Sequence, residues 1–238
     1  STCSRVFRRS AAALLLWPLM SLADATLAGR LRETGEVAYF VPDRSLAALQ
    51  VLEAEVAATE GPARSRLRSD FLYFSSTAER ALGNLERALE LANELVAYGK
   101  QHQDRVALAR GLVERANALY LLDNLPASHA SAFEAERVAN ASQDRTSQVM
   151  ATVAAGQAFQ EQGNYPAALA KLQAAADMSR LIGPDSMPLA HTLQALVLLY
   201  LNMGQLDKGW ETQRELRDVA KAMGSPGYLA LALRSEYV

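Results

Sequence analysis

The chain has 238 residues, half of them hydrophobic, which is enough to bury a sizeable core. Its net charge is −2 and its pI about 6.0. The lysines are few (Lys100, Lys171, Lys208, Lys221) and the arginines are interleaved with carboxylates, so no basic stripe forms and a nucleic-acid-binding surface is excluded.

Residues 1–25 have the layout of an export signal. Arg5, Arg8 and Arg9 precede an apolar stretch from Ala11 to Met20, and Ala23-Asp24-Ala25 supplies a small-x-small cleavage site. The stretch falls short of the roughly 20 apolar residues of a membrane anchor and is broken by Trp17-Pro18. Cleavage after Ala25 would leave 21 basic against 25 acidic residues and remove Cys3, the only cysteine. A mature chain of that kind has neither a disulfide nor a thiolate ligand. Cys3 precedes the apolar segment, unlike a lipoprotein attachment site. No stretch within 26–238 is apolar enough to span a membrane.

Residues 26–43 form a lead segment whose only local signal is a brief strand-like run, Val37–Val41, before Pro42. Apolar residues at helical spacing then predict a repeat domain over 44–238: a helix at 44–59, then antiparallel pairs. The pairs are 63–81 with 85–101, 105–121 with 127–141, 146–162 with 166–182, and 187–202 with 206–222; an incomplete last repeat follows at 228–238. Gly83 and Gly163 can take the left-handed conformation that ends a helix. Asp104 and Asp144, 40 residues apart, suit helix N-caps, and Pro126 and Pro166, also 40 apart, suit first helical turns. The fold class expected is all-α, a solenoid of antiparallel helix pairs.

Four turn tripeptides repeat in phase. Gly83-Asn84-Leu85, Asp123-Asn124-Leu125, Gly163-Asn164-Tyr165 and Gly204-Gln205-Leu206 begin 40, 40 and 41 residues apart. A small residue follows each (Ala88, Ser128, Ala168, Gly209), and Ser76, Ala116 and Gly156 precede three of them where Val197 precedes the fourth. This order resembles the tetratricopeptide repeat (TPR) in a long variant, with residues 155–169 the best match. The resemblance implies a right-handed superhelix in which the small residues allow close helix crossing and Leu85, Leu125, Tyr165 and Leu206 plug each turn.

It also implies that the first helix of each pair lines a concave groove. The residues projecting there would be Tyr73, Phe74, Thr77 and Arg80; Arg110, Glu114, Asn117 and Tyr120; Met150, Gln157, Gln160 and Glu161; and His191, Gln194 and Asn202. Aromatic anchors at one end and amides at the other suit an extended peptide or protein segment. Repeats that clamp C-terminal carboxylates pair an asparagine with lysines; Asn117 fits, but Val113 and Val153 stand where lysine is needed, so that function is rejected.

No catalytic, cofactor or metal site is expected. His102, His129 and His191 lack metal-ligand spacing, and no phosphate loop or nucleophile elbow occurs. His129 and Trp210 are expected to pack in the core. The apolar start of a further helix at 228–238 has no capping partner, so the chain is expected to continue past Val238.

The export signal, the Pro42–Ala47 helix start and the long repeats together resemble the periplasmic sensory region of bacterial diguanylate cyclases (GGDEF proteins). That resemblance implies an exported, periplasmic module in a Gram-negative envelope, with a membrane anchor and an enzymatic output domain downstream. A free periplasmic adaptor for envelope protein assembly is the alternative.

Overall fold

The computed structural model describes residues 26–61 and 63–234, and the expected signal peptide lies outside them. Among the described residues there are eleven helices and no strand. They are α1 (Leu27–Glu36), α2 (Pro42–Ala58), α3 (Ala63–Leu82), α4 (Leu85–Gln101), α5 (Arg105–Leu121), α6 (Leu125–Asn140), α7 (Arg145–Glu161), α8 (Tyr165–Ile182), α9 (Met187–Asn202), α10 (Leu206–Ala222) and α11 (Pro226–Arg234). Each packs chiefly on its neighbours in sequence, and α3, α5, α7 and α9 also meet along the inner side, giving an α-solenoid.

The helix ends have local causes. Asp104 accepts hydrogen bonds from the Val106 and Ala107 amides at 2.9 and 3.0 Å, and Asp144 from Ser147 at 2.8 Å. Pro126, Pro166 and Pro188 stand in first turns, where no amide donor is needed. Between the helices of a pair, the chain turns through a left-handed residue at Gly83, Asp123, Gly163 and Gly204, with φ from 59° to 85°. The amide that follows each bonds back over the same span: Asn84 to Glu79, Asn124 to Leu119, Asn164 to Phe159, and Gln205 to Tyr200, all at 2.8–2.9 Å. One hydrogen-bonded turn, repeated, sets the solenoid.

Small residues let the helices approach. Ser76 Oγ donates to the Ala88 carbonyl at 2.9 Å, and one repeat on Ser128 Oγ donates to Ala116 at 2.8 Å. Gly99 and Gly111 bring α4 and α5 together; a Cβ at Gly99 would lie 2.5 Å from the Leu108 amide nitrogen. The core runs along the solenoid in three buried clusters, around Leu49–Leu95, Leu112–Ala139 and Leu172–Leu216. Each buried leucine contributes about 1.5–3 kcal/mol.

The structure corrects or extends the sequence-based expectation at several points. The lead segment is a helix and a turn, without a strand: Thr26 caps α1, Leu31 is fully buried, and Arg30 grips Glu55 of α2 with two 2.8 Å bonds. The Val37–Val41 run forms the α1–α2 turn, closed by Val41 N donating to Val37 O. The last helix packs on α10, as the start of a further repeat would: Tyr228 and Ala232 are buried and Gln213 of α10 donates to the Ala232 carbonyl. Trp210 and Leu206 are exposed by 41% and 56%, so neither belongs to the core.

Candidate functional site

The inner face of the solenoid borders an open cavity of about 1240 Å³. Its wall comes from α3, α5, α7 and α9, from α1 and its following turn, from the start of α6, and from Tyr228 of α11. Tyr73, Phe74, Arg80, Arg110, Glu114, Asn117, Tyr120, Gln157, Gln160, Glu161, His191 and Gln194 all lie on that wall, as do Thr77 and Met150. Asn202 does not: it ends α9 and is exposed, one turn beyond the residues that face inward.

Arg80, Glu114 and Arg110 are held in ion pairs. Arg80 Nε donates to Glu114 Oε2 at 3.1 Å, linking α3 to α5, and the Glu114 side chain is only 3% exposed. Arg110 donates to Asp70 at 2.7 Å across the same two helices and lies 5.4 Å from the Tyr73 ring centre. Both carboxylates are therefore spent on neutralising arginines, as buried charges must be. Burial, with the Glu114 carboxylate nearby, pushes the Tyr73 phenol up to about 12. Burial and the nearby Arg80 cation pull the His191 imidazole down to about 4. Burial also raises the phenols of Tyr120, which faces Glu161, and of Tyr228. Each shift favours the neutral form of its group.

The amides behave differently. Asn117, Gln157, Gln160 and Gln194 sit on the cavity wall on α5, α7 and α9, and among the described residues no side chain engages their amide groups. His129 and Ser147 also reach the wall. His129 is half-buried, its Nδ1 3.2 Å from the Gln162 amide nitrogen; its Nε2 and the Ser147 hydroxyl are buried without hydrogen-bond partners among the described residues. Among the described residues no three His, Cys, Asp or Glu side chains are grouped to hold a metal ion, and no helix is long and apolar enough to cross a membrane.

Sequence reasoning missed the contribution of the lead segment. Gly35 of α1 admits the Phe74 ring, since a Cβ there would clash with it. Tyr39 lies 5.8 Å from the Arg80 guanidinium, and Phe40 meets Tyr228 edge-on with ring centres 5.0 Å apart. The only hint was compositional, two aromatic residues beside a proline in an otherwise unassigned stretch.

No protein-family profile and no curated sequence matches the chain. Solved structures do. A Rap protein complexed with competence and sporulation factor is similar with TM-score 0.70 at 12% identity, covering 88% of this chain and 59% of that one. The BtubC protein of P. vanneervenii is similar with TM-score 0.53 at 14% identity, covering 89% and 90%. A single-substitution variant of a Podosopora anserina putative kinesin light chain, with nearly identical TPR-like repeats, gives 0.50 at 18%, covering 82% and 97%. At these identities the likeness is one of fold.

Proposed function

The fold being a TPR-like helical solenoid, we propose that this chain is a non-catalytic scaffold that holds an extended segment of a protein or peptide in its concave cavity. The observation that carries this reading is the division of labour on the cavity wall. Arg80 and Glu114, and Arg110 and Asp70, are engaged in ion pairs, while Asn117, Gln157, Gln160 and Gln194 keep donors and acceptors unused. Primary amides match the donor and acceptor pattern of a peptide backbone, and the Tyr73–Phe74 and Tyr120 rings offer aromatic contact. A similar fold occurs in the Rap protein complexed with competence and sporulation factor, which supports ligand binding by this architecture.

Panning a random-peptide display library on the full chain tests it. Enriched peptides should lose at least about tenfold in affinity, roughly 1.4 kcal/mol, against the Asn117→Ala/Gln157→Ala/Gln160→Ala variant. Peptides that bind this variant as well as the native chain would contradict the reading.

We further propose that the module is the periplasmic input region of a longer membrane-bound signalling protein, of the diguanylate cyclase kind. Support comes from the signal-like Arg5–Ala25 segment and the long-period repeats. Reading the coding frame past Val238 tests it: a membrane helix and signalling domain agree with an input region, whereas a stop codon leaves the free periplasmic adaptor.

A further inference from the structure

In a solenoid each repeat ordinarily touches only its neighbours, so the first and last elements are free to move apart. Here they are joined. The turn between α1 and α2 sends Phe40 into the core of the last repeat, where it packs beside Tyr228. The fit is close, because a Cβ at Gly227 would clash with the Phe40 ring. The neighbouring Tyr39 ring stands edge-on to Phe40 at 5.3 Å and lies 5.8 Å from Arg80 of α3. Phe74 of the same helix fills the space left by Gly35 of α1. The turn therefore touches the first helix pair and the last helix at once, and Tyr39, Phe40 and Tyr228 are all part of the cavity wall.

We propose that the α1–α2 turn is a latch: Tyr39 and Phe40 tie the first repeat to the last across the inner face, and their release admits a ligand to the cavity. The latch is short and lies on a two-helix lead that packs less extensively than the repeats. It holds chiefly through one inserted ring, so it can open without unfolding α3–α10. A ligand that favours the open solenoid would shift the population by as much as it prefers that state.

The test needs no knowledge of the ligand. In a Cys3→Ser background, Gln157→Cys places a single thiol on the cavity wall, and its reaction rate with a bulky maleimide reports access. Glu90→Cys on the exposed face of α4 is the control. The Phe40→Ala change should raise the labelling rate of the cavity thiol on the order of tenfold, the factor set by about 1.4 kcal/mol of lost contact. Gly227→Val attacks the same contact from the other side and should act alike. Circular dichroism identifies any variant that fails to fold, and the other variant then decides. Two results would overturn the latch: an unchanged labelling rate of the cavity thiol in a folded variant, or a cavity thiol that already reacts as fast as the control thiol when the latch is intact.

Discussion

The two stretches of the cavity wall are built on opposite principles. Along α3 and α5, the charged inward side chains are engaged, Arg80 with Glu114 and Arg110 with Asp70 and Tyr73, and Asn117 is the one amide there left free among the described residues. Along α7 and α9 the polar side chains include three amides, Gln157, Gln160 and Gln194, that nothing among the described residues engages. The first stretch looks more functional by residue type, since it holds the buried carboxylate and the shifted phenol. Its geometry is structural, because the ion pairs bridge successive first helices and so hold the curvature of the inner face. Chemical reactivity and availability thus separate along one groove.

Substitutions can break this contrast. Glu114→Ala should give the largest loss, about 3–5 kcal/mol by denaturant unfolding, because it leaves the Arg80 guanidinium buried and unpaired. A loss below about 1 kcal/mol would mean that the pair is not structural.

His191 sharpens the contrast through pH. Its imidazole titrates near 6.5 when unfolded and about 4 in the fold, so the stability it confers is complete above about pH 6.5 and is lost as the pH falls towards 4. The loss reaches at most about 3 kcal/mol, and His191→Gln should flatten the slope of stability in that window. An unchanged slope would place the ring in water.

Asp70→Asn should cost less, about 1–2 kcal/mol, because its pair with Arg110 is partly exposed. Asn117→Ala and Gln157→Ala should each change stability by less than about 0.5 kcal/mol while weakening ligand binding. An amide variant that unfolds the protein would erase the distinction between the two stretches.

The repeat was legible because its causes are local. The left-handed turns at Gly83, Asp123, Gly163 and Gly204 and the caps at Asp104 and Asp144 write themselves into sequence at a fixed period. The inward positions of the first helices follow from that period together with the family resemblance. What could not be seen were contacts without period. Leu27–Glu36 carries two glycines and mixed charges, and it is held as a helix by Arg30 on Glu55 and by Phe74 over Gly35, partners 25 and 39 residues away. The Phe40–Tyr228 contact spans 188 residues and follows from no repeat position. Asn202 was misplaced because inward periodicity continues to the end of a helix while the cavity does not.

The central claim is that the amide stretch of the inner face is the binding surface. A photo-crosslinking residue at position 157, compared with one at exposed position 90, tests it with a peptide selected by panning. The account predicts a covalent adduct from position 157 and none from position 90. An adduct from position 90 alone would place the ligand on the outer face and contradict it.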